Sequence, residues 1–447
     1  MKNSRALIAM ALGAGLVLAG SAEAKTLREA LVPSTIDSAV LRGAIAPLGN
    51  AIGSQVANQI PALSTSAGYT YEWNPELEVL ERSAKTFGPL FTERAVTLGR
   101  NKFNLNVSYS WIKFDRFAGK DIDELTSNVE IAFVPETGKT QYFGLSRPLT
   151  SDPKTLIGDQ VNLKLDLEAQ LVDFSFTYGL LDQLDVNVDV PVLRTYVRSE
   201  IREILPDPRC LGVSGACDAF LGTVGDTTVG GVPGFVELPA QVSRETKLGI
   251  GDIHLRAKWA PVAHPLHLAG LLDLALPTGD PANFQGTGNT RLGTTLIGSK
   301  DLGSMFEIHS QGGVEFNCND VGRSQARYAA GVTAQVARPL AFTVDFLGRS
   351  EFGAQGRIPN TGRLPAVRTI DGVNTLAQPL SSLDKNENFK GRPLFIDIQR
   401  NDILDLAVGG RVAVGDRTMI LANVLIPLNQ DGLRADFVPT VGVEVNF

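Results

Sequence analysis

Apolar and polar residues alternate along most of the chain from about residue 100 onward. Because successive side chains of a β-strand point to opposite faces, each alternating segment predicts a strand with one apolar and one polar face. The last strand predicted in this way ends at the aromatic residue Phe447, with Val441, Val443 and Val445 on the same face. A soluble edge strand can alternate in the same way, so the arrangement of the strands has to decide the fold class.

The connections between these segments alternate between short and long. Short turns are predicted near residues 181, 262, 302, 338 and 415, and long loops at 114–156, 192–246 and 353–398. About 12 antiparallel strands joined in this way are typical of a bacterial outer-membrane barrel, with short periplasmic turns and long extracellular loops. A β-sandwich supplies similar strands but does not explain the alternation. The sequence therefore predicts an all-β fold, a transmembrane antiparallel up-and-down β-barrel over residues 99–447.

The polar faces of the predicted strands are expected to line the barrel lumen. In residues 161–178 the apolar positions change parity, which predicts a β-bulge near Leu171 or Val172. These charged residues are the predicted lumen lining: Lys164, Asp166, Glu168, Asp185, Asp189, Asp252, Arg256, Lys258, Asp273, Glu307, Arg327, Asp345, Arg411 and Glu444.

The amino-terminal residues 1–24 have the features of a secretory signal peptide. Lys2 and Arg5 precede an apolar stretch from Ala6 to Ala19, and Ala22-Glu23-Ala24 forms a small-x-small cleavage site. A membrane anchor is the alternative, but the apolar stretch is shorter than the roughly 20 residues that a spanning helix needs. Sec export and residence in the bacterial outer membrane are therefore expected.

Residues 25–98 do not share the alternating pattern. Apolar residues recur at three- and four-residue spacings from Ile36 to Val56, which predicts one amphipathic helix or two short helices separated at Pro47. This small helical segment could plug the barrel, remain in the periplasm or form a partly ordered leader, and the sequence does not distinguish these arrangements.

Composition narrows the chemistry. The 447 residues include 41 basic and 48 acidic side chains without a basic stripe, so nucleic-acid binding is not expected. Four histidines without a metal-ligand spacing predict no metal site, and no motif indicates a cofactor. Cys210 and Cys217 are close enough in sequence to form a small disulfide in an oxidising compartment, although Cys318 could pair with either of them.

Four sequence segments resemble the family of outer-membrane barrels associated with phenol meta-pathway degradation. They are Ser83–Asn104, Tyr178–Asp185, Gly249–Lys258, and Leu276–Asp280 continued by Gly286–Gly288. The family has a distant likeness to long-chain fatty-acid channels, and the resemblance implies transport of hydrophobic or aromatic compounds. The shared motifs lie at strand ends and turns, and none defines a binding residue.

The leading functional hypothesis is a passive outer-membrane channel for small, hydrophobic or aromatic compounds. Its expected partners are outer-membrane lipid, the solute and the barrel-assembly machinery, for which Phe447 would be the recognition signal. The alternative is a structural or adhesive surface protein with a closed barrel and partner-binding loops. An enzyme is disfavoured because no catalytic residues are identified: His254, His264, His267 and His309 do not fall at the predicted extracellular rim.

Overall fold

Twelve antiparallel strands close into a barrel in the computed structural model. The structure describes residues 25–31, 52–53, 55–56, 64–65, 71–74, 79–82, 86–117, 119–123, 125–129, 131–134, 141–143, 159–206, 228–229, 232–233, 235–237, 239–262, 266–353, 365–370, 373–379, 402–415 and 417–447. The predicted signal peptide, the pair Cys210 and Cys217, and most of the predicted helix over residues 36–56 lie outside these ranges.

The barrel strands follow one another around the wall in chain order. They are β1 (Phe103–Phe117), β2 (Asp159–Leu181), β3 (Leu184–Pro206), β4 (Gln241–Ile250 and Ile253–Val262), β5 (His267–Leu276), β6 (Arg291–Leu302), β7 (Phe306–Asn317), β8 (Gln325–Ala337), β9 (Leu340–Glu351), β10 (Asp402–Val414), β11 (Thr418–Pro427) and β12 (Leu433–Ala435 and Val438–Asn446). The barrel closes where β12 pairs with β1, from Thr440 opposite Ser110 to Asn446 opposite Asn104.

A few short elements accompany the barrel. The helix α1 (Leu27–Leu31) lies inside it, and 3₁₀ turns form at Pro281–Asn283 and Val321–Arg323. The remaining short strands are Tyr71–Asn74, Val79–Arg82, Lys120–Asp121, Leu125–Val129, Ile131–Val134, Gln141–Phe143, Thr228–Val229, Val232–Pro233, Phe235–Glu237, Pro365–Ile370 and Val373–Pro379. Among the described residues no helix has the length and apolar character to cross a membrane.

The short turns all lie at one end of the barrel, which we call the lower end. They connect Leu181 to Leu184, Val262 to His267, Leu302 to Phe306, Ala337 to Leu340 and Val414 to Thr418. The predicted fold class and the positions of these five turns are confirmed. The aromatic residues near this end all face outward and are exposed: Tyr178, Trp259, Phe306, Phe342 and Phe447.

Two strands, β2 and β3, are 23 residues long and rise above the rest of the wall. We call residues 163–171 of β2, 193–201 of β3 and 241–250 of β4 the extension, and the wall below it the lower barrel. The predicted loop over 192–246 is therefore wrong at both ends, because residues 192–206 continue β3 and residues 241–250 belong to β4.

The side-chain polarity of these strands inverts where the extension begins. In the lower barrel the outward residues of β3 are Val186, Val188, Val190 and Val192, whereas those above are Arg194, Tyr196, Arg198 and Glu200. The inward residues change from Asp185, Asn187 and Asp189 to Leu193, Val197 and Ile201, all of them buried.

The predicted β-bulge near Leu171 or Val172 is also wrong. The pairing of β2 with β3 is continuous from Gln160 to Gly179, so no residue is inserted at this level. The apolar residues change parity because the inward face changes from polar to apolar. The strand geometry is the same above and below this level, and only the polarity of the residues on the two faces differs.

Candidate functional site

The interior of the lower barrel is polar and closely packed. Its buried inward-facing side chains include Asn104, Asn106, Asp173, Ser175, Thr177, Asp185, Asn187, Asp189, Arg256, Lys258, Glu307, His309, Asp345, Arg411 and Glu444. Because a buried charge is costly unless it is paired, charges of opposite sign have to meet inside the barrel.

Ion pairs on different parts of the wall satisfy this requirement. Arg256 of β4 lies 3.1 Å from Asp189 of β3 and 3.3 Å from Asp273 of β5, and the Asp273 carboxylate also lies 2.9 Å from Nδ1 of His254. Arg411 lies 3.1 Å from Glu444 on the opposite part of the wall. Arg256 thus connects three neighbouring strands, and the pair of Arg411 with Glu444 connects β10 to β12 across the intervening β11.

Residues 86–98, which we call the lumen segment, cross this polar interior. Their backbone is hydrogen-bonded to strands on several sides of the barrel: Leu98 N donates to the Asp185 carboxylate at 2.9 Å, and Ala95 N donates to Ser299 Oγ at 3.1 Å. On the other side, the Arg411 guanidinium donates to the carbonyl oxygens of Phe87 and Pro89 at 3.0 and 2.6 Å.

Two adjacent charged residues of the lumen segment form ion pairs with the wall. Glu93 accepts a hydrogen bond from Lys258 at 3.5 Å, and Arg94 lies 3.6 Å from Glu307. All four side chains are almost fully buried, with exposures between 1% and 7%. Glu93 also accepts from the backbone N and the hydroxyl of Thr65, at 2.6 and 2.9 Å.

Apolar residues of the same segment pack on apolar residues of the wall. Three clusters form: Leu90 and Phe91 with Ala407 and Leu421, Phe87 with Ala341 and Met419, and Ala95 with Ala269 and Ile297. The segment therefore combines ion pairs, backbone hydrogen bonds and apolar packing, all directed at the inner wall.

The interior of the extension, which we call the upper chamber, is apolar along β2 and β3. Its wall on β2 and β3 is formed by Leu163, Leu165, Leu167, Ala169, Leu171, Leu193, Val197 and Ile201, with hydroxyl groups at Thr195 and Ser199. The inward side of the upper segment of β4 is polar and carries Ser243, Glu245 and Lys247. Helix α1 packs against this wall, and its residues Leu27, Ala30 and Leu31 are almost completely buried. Ser199 Oγ donates to the Ala30 carbonyl at 2.7 Å, so the chamber's hydroxyl contacts the helix backbone.

The loop from residue 277 to 290, between β5 and β6, folds inward at the base of the upper chamber. Asn283 contacts both sides, since its carbonyl accepts from Thr195 Oγ at 2.9 Å and its Oδ1 accepts from Leu27 N at 3.1 Å. Phe284 is fully buried with a φ of 59°. The loop thus joins the wall to α1.

Glycines permit this loop to approach the wall closely. A Cβ atom at Gly249 would lie 2.2 Å from the Gln285 side chain, and one at Gly286 would lie 2.5 Å from Asp252. The Asp252 carboxylate accepts hydrogen bonds from Thr287 N and Thr287 Oγ at 2.9 and 2.7 Å. The sequence segments Gly249–Lys258 and Gly286–Gly288 therefore meet at this crossing.

The wall is incomplete beside this crossing. The upper segment of β4 (Gln241–Ile250) pairs with β3, and its other edge has no strand partner among the described residues. The next strand, β5, ends at Leu276, opposite Ile253. At this level the loop 277–290, rather than a strand, closes the wall.

For three of the predicted lumen residues the prediction is wrong. Lys164, Asp166 and Glu168 belong to the outward face of the extension, opposite in parity to the buried Leu163, Leu165 and Leu167. The prediction failed because it assumed a polar interior at every height. The structure places these remaining residues on the inward side: Asp185, Asp189, Asp252, Arg256, Lys258, Asp273, Glu307, Arg327, Asp345, Arg411 and Glu444.

Cysteine and histidine contribute no recognisable chemistry in the described residues. Cys318 is a free, exposed cysteine. His309 Nε2 lies 2.6 Å from the Asp345 carboxylate, fully buried in the lower barrel. No group of three metal-ligating side chains occurs in the described part of the chain.

Several solved structures match most of the chain at low similarity. An outer-membrane channel from Pseudomonas putida F1 is 13% identical with a TM-score of 0.41, covering 79% of this chain and 98% of its own. The toluene transporter TbuX from Ralstonia pickettii is 10% identical with a TM-score of 0.31, covering 78% and 90%. The monoaromatic hydrocarbon channel CymD is 9% identical with a TM-score of 0.32, covering 78% and 89%.

No family model and no curated protein sequence matches the chain. The resemblance to the phenol meta-pathway family therefore stays a prediction. At this level of similarity the matched structures carry no conclusion about the function of this chain.

Proposed function

We propose that this protein is a passive outer-membrane channel for small hydrophobic compounds, including aromatic ones. The observation that carries the proposal is the inversion of polarity along β2 and β3. Below the inversion the wall is suited to lipid outside and water inside; above it, the wall is suited to water outside and an apolar solute inside.

The dimensions of the lower barrel support membrane residence. The outward apolar stretch Leu184–Val192 extends roughly 30 Å along the strand at about 3.3 Å per residue, or roughly 23 Å in height at a strand tilt near 40°. The apolar band of outer-membrane barrels is about 25 Å tall. The short turns then face the periplasm, and the extension lies outside the cell.

The upper chamber is the proposed capture site. Its lining on β2 and β3 is aliphatic and offers apolar area with few hydrogen-bonding groups, so this side of the chamber favours hydrophobic over polar solutes. Helix α1 already occupies part of this surface with Leu27, Ala30 and Leu31. A solute entering the chamber therefore competes with α1 for the same apolar wall.

The route out of the chamber runs sideways. The lumen segment and its buried ion pairs act as a plug that closes the straight path through the lower barrel, and a polar path is unfavourable for an apolar solute. The wall beside the upper segment of β4 is closed by the loop 277–290, and Leu248 and Ile250 at this edge are 75% and 50% exposed. Solute leaving there would enter the outer leaflet.

Three further elements of the proposal come from the sequence. Residues 1–24 direct Sec export, Phe447 is recognised by the barrel-assembly machinery, and the chain is related to the phenol meta-pathway barrels. Phe447 is 61% exposed, its backbone pairs with Phe103, and the two rings lie 6.0 Å apart, so the aromatic end is part of the lower rim.

Uptake of a phenolic tracer by liposomes tests the function. Val197→Asn places an amide in the upper chamber and is expected to reduce tracer uptake severalfold, because a buried amide without a partner costs about 1–3 kcal/mol. Tyr196→Asn, on the outward face of the same strand, is the matched control and should transport normally. Heat-modifiable mobility on gels establishes that each barrel is folded. Absence of tracer uptake by folded wild-type protein would contradict the proposal and favour the surface-protein alternative.

A further inference from the structure

Basic residues gather on the outer face of the extension, directly above the apolar band. The outward positions of β3 change from Val192 to Arg194 at this boundary, and Arg198 follows four residues higher. On the neighbouring strand, Arg244 also faces outward. We propose that Arg194, Arg198 and Arg244 bind the phosphate-bearing headgroup of a membrane lipid. This inference rests on the membrane placement given in the proposed function.

The register of the strands brings two of these cations together. Arg198 of β3 is directly opposite Arg244 of β4. Side chains in directly opposed positions have Cβ atoms about 5 Å apart, and like charges there destabilise the pair. An anion held between the two guanidinium groups removes this repulsion, because each can donate two hydrogen bonds to phosphate oxygens.

Acidic neighbours compensate only one of the three arginines. Arg198 lies 3.4 Å from Glu200, which also lies 3.0 Å from Arg202, and Arg198 is opposite Asp166 on β2. Arg194 is opposite Gln170 on one side and Leu248 on the other. In the described part of the chain, neither Arg194 nor Arg244 has a side-chain hydrogen bond or an ion pair.

The position of these residues favours a lipid over a soluble anion. Arg194 is the first outward polar residue of β3 above the valines, and the exposed Leu248 and Ile250 lie beside it on β4. Lipid phosphates are held at this height by the acyl chains that cover the apolar band, so the site continues the lipid-facing surface. Arg194 and Arg198 are ~13 Å apart along the strand, close enough for flexible side chains to reach one headgroup.

Lipid retention by the purified full chain tests the assignment. The protein in neutral detergent is mixed with a diphosphorylated glycolipid or with its dephosphorylated form, and bound lipid is quantified by native mass spectrometry. Wild-type protein is expected to retain the phosphorylated form about tenfold better, because charge-assisted contacts to two or three arginines are lost without phosphate. Equal retention of both forms would overturn the proposal, and this comparison requires no variant.

Charge-matched variants locate the site. Arg194→Gln/Arg244→Gln is expected to lose the preference for phosphorylated lipid, whereas Arg100→Gln/Arg417→Gln removes the same charge near the lower end and should keep it. An unchanged preference in the first variant would place the lipid elsewhere. Displacement of the lipid by millimolar inorganic phosphate would show a free-anion site and would also overturn the lipid assignment.

Two separate readouts distinguish this inference from the proposed function. Flotation of wild-type protein with vesicles tests membrane placement, and tracer uptake tests transport. Arg194→Gln/Arg244→Gln is expected to float and to take up tracer as wild type does, since both side chains lie outside the upper chamber. Loss of lipid preference with normal uptake is therefore the expected pattern, and a transport failure in wild type would not change the lipid result.

Discussion

The lower barrel and the extension are built from the same strands with opposite linings. In β3, residues 185–189 present carboxylates and an amide to the interior, whereas residues 193–201 present mainly aliphatic side chains. The backbone pairing with β2 continues through both regions without interruption. Strand geometry therefore does not determine whether the inward side chains are polar or apolar. Their polarity corresponds instead to the surroundings of each face of the wall.

Each lining is matched by the segment that it encloses. The lumen segment contacts the lower barrel through ion pairs and backbone hydrogen bonds, while α1 contacts the extension through leucine and alanine side chains. We therefore expect damage to the lower contacts to affect ion permeation, and damage to the upper contacts to affect hydrophobic solutes.

The largest effect is expected from removing residues 25–98, because this deletes both enclosed segments at once. Single-channel conductance in planar bilayers should rise severalfold, since the lower lumen loses the segment that crosses it. The full chain under the same conditions is the control. Unchanged conductance in a folded, truncated barrel would show that residues 86–98 do not limit ion flow.

Substitution of Arg411 tests two roles of this residue separately, its contacts with the lumen segment and its contribution to stability. Arg411→Met leaves Glu444 buried without its cation, which is expected to lower the free energy of unfolding by about 3–5 kcal/mol. It also removes two hydrogen bonds to the lumen segment, so the conductance should become unsteady. Urea titration and bilayer recording measure the two effects.

The double variant Arg411→Met/Glu444→Met is the control for the buried charge. It should recover most of the stability, because replacing both members of a buried pair by apolar residues is often neutral or stabilising. The conductance should remain unsteady, since the contacts to Phe87 and Pro89 are still missing. Recovery of steady conductance would assign the plug to other contacts.

A smaller and more local effect is expected where the loop 277–290 contacts β4. Gly249→Val would put side-chain atoms where the Gln285 amide lies, so the loop 277–290 has to move away from the wall. Tracer uptake is expected to change about twofold to tenfold, with ion conductance unaffected, because steric displacement of a packed loop costs about 1–3 kcal/mol. Gly270→Val, on the outer wall with no atom within 4 Å of the added Cβ, is the matched control.

The sequence predicts the barrel well because apolar and polar residues alternate with a period of two along each strand. This alternation identifies a strand whichever of its faces lies inside the barrel. Strand order and turn positions follow from that period and from the alternation of connection lengths. The lining of the extension could not be predicted in the same way, since Lys164, Asp166 and Glu168 alternate with leucines whichever face is buried. Only the matching inversion in β3, where the face that carries Val192 continues with Arg194, could have revealed the change of medium.

The lumen segment was also missed as a source of site residues. Glu93 and Arg94 lie in an aperiodic stretch, and their partners Lys258 and Glu307 are far away in sequence. No local pattern encodes a contact across that distance. The signal that was available is the pair of adjacent opposite charges followed by apolar residues, in a segment that precedes the first strand.

The smallest expected effect tests the corrected placement of Glu168. If this carboxylate faces water on the extension, Glu168→Gln should change the free energy of unfolding by about 0–0.5 kcal/mol, because exposed charges contribute little. Glu444→Gln, in the lower barrel, leaves the Arg411 guanidinium without its buried carboxylate and should cost several times as much. Urea titrations of both variants against wild type compare the two regions with one chemical change. A loss at Glu168 as large as that at Glu444 would return Glu168 to the lumen and remove the inversion on which the upper chamber depends.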